Sequence, residues 1–387
     1  MLSHFTGNRI TAADLGWHGP RQRKRARALD NPYGATATDL LRESQGDQPM
    51  HRRSFVQLSG AVLTAPALDL LVAGAPALRA AENGDRVSPQ LTDTIEQAVR
   101  QARALDDSEG SASTLLWAGG IWQNLGKLLT ESRYRDSEGV RLHTAYIELS
   151  ESYGWMLFDA GYHPQAQRVY QTGLRLAREA LDAPSVHHAT VNLLASAAYQ
   201  EAWLGQYREA TTLLDVAVNR RPGAMTARLR AVVDMRRIAL AGQQGDLEAL
   251  HRADGQSRFH LAAAGEDEPW WTLWLTPTSI NAQTGRALLA AHQPEQAEPY
   301  LSQRGPDDDA RYPRDRMLFA SELADARLRT GDITGATAAA RQALELAEHV
   351  GSHRVHRHLN GVTNTLRQRH GSHESVRELL PDRPDVR

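Results

Sequence analysis

The stretch GYHPQAQRVYQTGL (residues 161–174) decides the fold, because a related pattern returns three more times along the chain. The related segments are GQYREATTLLDVAV (205–218), HQPEQAEPYLSQRG (292–305) and GDITGATAAARQAL (331–344). A weaker copy, GDLEALHRADG, begins at Gly245. Segments that share one register are typical of an internal repeat. We therefore predict helix after antiparallel helix.

The segments share small and apolar residues at helical spacing. Small residues where two helices cross let the axes approach, while larger apolar side chains fill the flanking space. A glycine at the head of the turn suits a left-handed cap that ends the first helix. The shared positions are Ala166, Ala210, Ala297 and Ala336; then Tyr170, Leu214, Leu301 and Ala340; then Gly173, Ala217 and Ala343; and, before the turn, Gly154, Ala198, Gly285 and Ala324.

The chain changes character near residue 89. From there apolar residues recur at i, i+3, i+4 and i+7, and no convincing period-2 strand pattern is present. We predict an all-α protein with three regions: an irregular basic arm (1–49), an RR-x-F apolar segment with a linker (50–88), and a helical repeat domain (89–387). An irregular helical bundle is the alternative to a repeat.

Composition narrows the function classes. The 387 residues carry a formal net charge of −2 and no cysteine, so disulfides, thiolate metal sites and cysteine nucleophiles are excluded. The chain has no strong electrostatic bias toward nucleic acid or membrane. It contains no P-loop, GxSxG, HExxH or dinucleotide motif. We expect a non-enzymatic protein without a cofactor.

The segment MHRRSFVQLSGAVLTAPALDLLVAGAPALRAA (50–81) allows two interpretations. Its twin arginines, Ser-Phe pair and apolar run suit a twin-arginine export signal cleaved near Ala81. However, Asp69 places a carboxylate inside the apolar run, and Pro66 and Pro76 interrupt a helix there. We expect a cytoplasmic protein and keep export as the alternative.

These features resemble known families. The GxYxxA turn, the A-x-x-x-[YFL]-x-x-[AG] helix and Pro222 after the second unit resemble the tetratricopeptide repeat, although the spacing of about 40–44 residues exceeds the usual 34. Residues 268–301 and 314–359 are similar to the tetratricopeptide-like half of bacterial XRE-type helix-turn-helix regulators. Residues 4–17 (HFTGNRITAADLGW) resemble the trailing edge of that family's DNA-binding domain. The linker of that family often contains an RR-x-F segment with an apolar run, and the segment MHRRSFVQLSGAVL of this chain resembles it.

The resemblance implies a non-enzymatic regulatory protein that binds a peptide, a protein partner or a small signal molecule. The resemblance also allows a homodimer. We expect no membrane association. The sequence lacks the helix-turn-helix itself, so either that domain lies upstream of Met1 or this chain is a relative without it. DNA is a partner only in the first case. The alternative is an exported tetratricopeptide adaptor cleaved near Ala81.

The repeat register predicts a working surface. Helical-repeat solenoids present the first helix of each pair along a concave groove, and the predicted mixture of aromatic, amide and charged groups suits a peptide or a polar small molecule. The alternative is that these positions form only the hydrated side of a solenoid. The predicted groove residues are Ser152, Trp155, Asp159, Asn192, Ser196, Tyr199, Trp203, Gln283, Arg286, Glu322, Asp325 and Arg329.

Two further clusters have ordinary explanations. Gly351 and Ser352 predict a helix break between His349 and His353, and neighbouring arginines would repel a cation, so we expect no metal site among the C-terminal histidines. The full cluster is His349, His353, His356, His358, His370 and His373. If helical, Trp270 and Trp274 share a face as i, i+4 neighbours beside Trp271. That face is either a ligand wall or, as we favour, core packing.

Overall fold

The computed structural model describes residues 86–220, 223–303 and 312–380. These residues belong to one unit that spans Ser59–Arg387, which we call the helical unit. The predicted basic arm, the twin-arginine segment with its cleavage position and Pro222 lie outside the described residues.

The described residues form an all-α structure, as the sequence predicts. They contain no strand, and an isolated bridge joins Arg86 to Arg133. A short 3-10 helix spans Trp270–Thr272. The α-helices in chain order are α1 (Pro89–Glu109), α2 (Ser111–Glu131), α3 (Asp136–Asp159), α4 (His163–Ala177), α5 (Pro184–Trp203), α6 (Tyr207–Asn219), α7 (Ala227–Gln244), α8 (Leu247–Ala262), α9 (Pro277–Ala290), α10 (Pro294–Ser302), α11 (Pro313–Thr330), α12 (Ile333–Ala347), α13 (His353–His370) and α14 (Glu374–Leu379).

Consecutive helices pack as pairs, from α1 with α2 to α11 with α12. The first helices of successive pairs also contact one another, so α1, α3, α5, α7, α9, α11 and α13 form a row. No helix in this part of the chain is long and apolar enough to cross a membrane.

Five helix pairs share one turn geometry. The first residue of each turn has a left-handed backbone, with φ of 87° at Gly161, 79° at Gly205, 71° at Gly245, 59° at His292 and 88° at Gly331. In all five, the next N–H bonds to the carbonyl five residues earlier at 2.8–3.0 Å. The predicted left-handed cap is therefore present in every unit, including the weaker one.

The small residues of the repeat make room for large ones. A Cβ at Gly154 would lie 2.2 Å from Cε1 of Tyr170, and a Cβ at Gly285 would lie 2.6 Å from Cγ of Leu301. Both glycines precede the turn, and both large partners follow it. The four shared alanines after the turn (Ala166, Ala210, Ala297 and Ala336) are fully buried. Close helix packing therefore explains the repeat pattern.

The row of first helices returns on itself. Helix α1 contacts α11, and the N–H of Gly351 donates to the carbonyl of Glu109 at 3.0 Å. The early and late helices of the described chain therefore meet, and the first helices of the pairs surround an interior. That interior holds the candidate site.

Candidate functional site

A cavity of about 100 Å³ lies between α1, α3, α7, α9, α11 and α13. We call it the central cavity. This volume has room for several water molecules or a small ligand. Its apolar wall is formed by Trp155, Met235, Trp274, Leu318 and Phe319, and its charged lining by Arg103, Asp106, Asp107, Glu151, Arg236, Arg286, Arg314, Asp315 and Arg354.

Four of the five lining arginines have carboxylate partners. A buried charge is costly unless it is paired and hydrogen-bonded. The four pairs are Arg103–Glu151, Arg286–Glu322, Arg314–Asp106 and Arg354–Asp159. In addition, Arg314 lies 3.3 Å from a second carboxylate, that of Asp107, and Nη2 of Arg286 donates to Glu322 at 3.2 Å.

Arg236 is the exception. It is only 7% exposed, its Nε has no hydrogen-bond partner, and no carboxylate within the described residues forms an ion pair with it. Instead, its Cζ lies 5.0 Å from the ring centroid of Trp155, 4.9 Å from that of Tyr199 and 5.5 Å from that of Trp274. Such cation–π contacts offset part of the desolvation cost. Burial lowers the pKa of Arg236, but a guanidinium stays charged in a protein.

The sequence of α7 places Arg236 at the cavity and its neighbour Arg237 on a half-buried face away from it. Successive helical residues point about 100° apart, so Arg236 and Arg237 face different surroundings. Arg237 pairs with Asp234 at 3.2 Å and with Asp215 at 3.6 Å. The helix begins after Thr226, whose side chain accepts from the N–H of Leu229 at 3.4 Å. Arg237 is therefore a natural control for Arg236.

The pKa of Tyr199 reflects the positive charge of the arginines beside the central cavity. Burial alone would raise the pKa of its phenol, but the guanidiniums of Arg286, Arg354 and Arg236 together bring that pKa below its usual value. Nη1 of Arg286 donates to the Tyr199 hydroxyl at 3.4 Å. The surroundings of this ring therefore favour negative charge.

Burial makes two of the lining carboxylates harder to ionise than a solvent-exposed aspartate. Burial raises the pKa of Asp107 to about 7 and also raises the pKa of Asp106, in spite of Arg314. Just behind the lining, burial raises the pKa of Glu148 to about 7. Protonation of Asp107 near pH 7 leaves Arg314 with less negative charge around it.

The structure brings four of the predicted groove residues together at the central cavity: Ser152, Trp155, Gln283 and Arg286. Others stand directly behind it. Tyr199 packs on Arg236, Asp159 and Glu322 pair with lining arginines, and Ser196 donates to Glu151 at 2.6 Å.

The remaining predicted residues lie elsewhere. Trp203 is 42% exposed, and its ring centroid lies 5.9 Å from Cζ of Arg354. Arg329 is exposed and pairs with Asp325 at 2.7 Å. Asn192 is buried on α5.

The expectation that Trp270 and Trp274 share a helical face is wrong. The 3-10 helix ends at Thr272, so the two indoles separate. Trp270 lies under the guanidiniums of Arg100 and Arg103, at 5.5 Å and 5.9 Å, whereas Trp274 lines the cavity. Trp271 is buried and donates from Nε1 to Glu148 at 2.8 Å.

Arg236 is not among the predicted groove residues, although the repeat contains the information that points to it. Ser152, Ser196, Gln283 and Glu322 each stand nine residues before the first position of a turn. Arg236 holds that position in the weaker unit headed by Gly245. Extending the register to that unit would have included it.

In the described part of the chain, no group of three or more His, Asp or Glu side chains is placed to hold a metal ion. The helix break between His349 and His353 is present, because α12 ends at Ala347 and Ser352 caps α13. Comparison of the chain with protein-family models and with curated proteins finds no match in either.

Proposed function

We propose that the helical unit is a tetratricopeptide-like receptor that binds its ligand in the central cavity and has no enzymatic activity. The observation that carries this proposal is Arg236, a buried cation without an ion-pair partner in the described residues, held against a cavity. A structural arginine in an interior is normally paired. An arginine that lies beside open space and has no ion-pair partner in the described residues is suited to a ligand that supplies a negative charge.

The tetratricopeptide-like solenoid is supported by local geometry. Five turns repeat one hydrogen-bond pattern, and the small positions Gly154 and Gly285 face the large residues Tyr170 and Leu301. The row of first helices then provides the ligand surface, as in other helical repeats.

We further propose a regulatory role, as the sensor half of an XRE-type regulator. This role rests on the resemblance of residues 268–301 and 314–359 to that family. The cavity is lined by both early and late helices, so a ligand touches both. A ligand that binds one arrangement of these helices better than another shifts their population.

Intact mass of the protein from its own cells tests the regulatory role. A cytoplasmic species that keeps residues 50–81 supports it. A species that starts near Ala81 outside the cytoplasm would instead support the exported adaptor. A readable helix-turn-helix in the in-frame DNA upstream of Met1 would add DNA as a partner.

Thermal unfolding of the full chain tests the receptor. We expect the low-molecular-mass fraction of the host extract to raise the Tm of the wild type. Trp274→Ala, which removes a cavity wall, should abolish the rise. Phe259→Ala, at a side chain that is 71% exposed and outside the cavity, should keep it. An equal rise in Trp274→Ala, or none in the wild type, would contradict the receptor.

A further inference from the structure

We propose that the central cavity takes a small organic carboxylate, which pairs with Arg236 and lays its apolar body against Trp274 and Phe319. This inference deepens the proposed function and rests on the cavity being a binding site. It assigns the class of ligand.

We infer an anionic ligand because Arg236 is the arginine of the lining that has no ion-pair partner in the described residues. The other four arginines already hold carboxylates of the protein. A guanidinium offers its donors in a planar fork that matches a carboxylate. The three rings packed around Arg236 restrict its side chain, so little side-chain entropy is lost on binding.

The surroundings favour a single negative charge over a phosphate dianion. Glu151 and Asp315 also line the cavity, and like charges repel strongly in a poorly solvated interior. A monoanion meets less repulsion and still neutralises Arg236. Glu151 already accepts from Arg103 and from Ser196, so it is not free to pair with Arg236.

Apolar side chains of the same lining match the apolar part of the ligand. Met235, Trp274, Leu318 and Phe319 line the same cavity, and binding sites combine such walls with a few placed polar groups. The volume of about 100 Å³ suits a compact acid rather than a long chain. An aromatic or short aliphatic acid satisfies both conditions.

Matched acids and amides test the inference on the full chain. The probes are benzoate, phenylacetate and hexanoate, each beside its primary amide. N-acetylphenylalanine beside its amide reports on a peptide C-terminus, and inorganic phosphate reports on a dianion. Calorimetry and Tm give affinity. We expect at least one small acid to bind about tenfold or more tightly than its amide.

Two variants and a control locate the binding. Arg236→Gln should weaken the acid by about tenfold or more and leave the amide unchanged. Arg236→Met keeps the stem without the charge and should behave alike. Arg237→Gln, the next residue on α7, should bind as the wild type does.

Three results would overturn the inference: equal binding of acid and amide, unchanged binding in both Arg236 variants, or no binding of any small acid at 10 mM. Preference for N-acetylphenylalanine or phosphate over every small acid would also overturn it, in favour of a peptide terminus or a dianion. In each case a Tm rise with host extract, lost in Trp274→Ala, would leave the receptor standing. Absence of a Tm rise in the wild type would remove both proposals.

Discussion

Nε of Arg354 on α13 donates to Oδ1 of Asp159, the last residue of α3, at 3.0 Å across 195 positions of sequence. Asp159 is fully buried, and the Ser111 hydroxyl donates to its other oxygen at 3.3 Å. Arg354 also lies 5.6 Å from the ring centroid of Phe158. This ion pair joins the late helices to the early ones beside the cavity.

Asp159→Asn should therefore destabilise the helical unit strongly. The variant leaves Arg354 without its counter-ion in a buried place, which costs about 3 kcal/mol. Denaturant unfolding measures the change, and hydrogen exchange should rise in α1 and α13. Asp325→Asn is the control, because its partner Arg329 is exposed, and it should cost less than about 1 kcal/mol. Equal losses in the two variants would contradict a closing role for Asp159.

Gly154→Ala should destabilise the helix pair formed by α3 and α4. The added Cβ would lie 2.2 Å from Tyr170, and overpacking of this kind costs about 2 kcal/mol. Gly361→Ala on α13 is the matched control, since its Cβ would meet nothing within 4 Å. It should raise stability by about 0.5–1 kcal/mol through helix propensity. A stabilised Gly154→Ala would refute the close packing.

His292→Gly should stabilise the protein. His292 has φ of 59° where the other four turns have glycine, and relief of the left-handed strain should gain about 0.5 kcal/mol. His251→Gly, on the exposed face of α8, should instead lose about 0.5 kcal/mol. Thermal unfolding distinguishes the two, and a lower Tm for His292→Gly would count against the strain.

Glu148→Gln should change the pH dependence of stability. Burial raises the pKa of Glu148 to about 7, so the folded state holds this proton more tightly than the unfolded state. The resulting contribution is present below about pH 4.5 and is lost as pH rises through about 7. The variant keeps an acceptor for Trp271 but does not titrate. It should gain stability relative to the wild type between these pH values, and parallel profiles would contradict this.

Arg236→Met should not destabilise the ligand-free protein. It replaces a buried charge that has no ion-pair partner among the described residues by an apolar side chain of similar length, which should raise the free energy of unfolding by about 1 kcal/mol. Arg103→Met is the comparison, because it strands Glu151 and should cost about 3 kcal/mol. A large loss in Arg236→Met would mean that the arginine serves the fold rather than a ligand.

Local features of the fold could be predicted from sequence, because each depends on nearby residues. Gly161, Gly205 and Gly331 end helices through backbone conformation alone, and Gly154 has its partner Tyr170 in the same unit. The contact of Arg314 with Asp106 spans 208 positions and leaves no periodic trace, so the return of the row on itself could not be anticipated.

The candidate site shows the same division. Trp155 and Gln283 follow from the register and line the cavity. Arg236 occupies the register of a unit whose pattern is weak. That no carboxylate of the described residues pairs with it becomes visible only when the neighbouring helices are in place. The charge balance of an interior is a property of packing rather than of any one segment.

The most direct test of the account is native mass spectrometry of the full chain recovered from its own cells. We predict a non-covalent adduct with the mass of a small acid on the wild type and on Arg237→Gln, and its absence from Arg236→Gln. An adduct that survives in Arg236→Gln, or a wild type that carries none, would contradict a carboxylate receptor centred on Arg236.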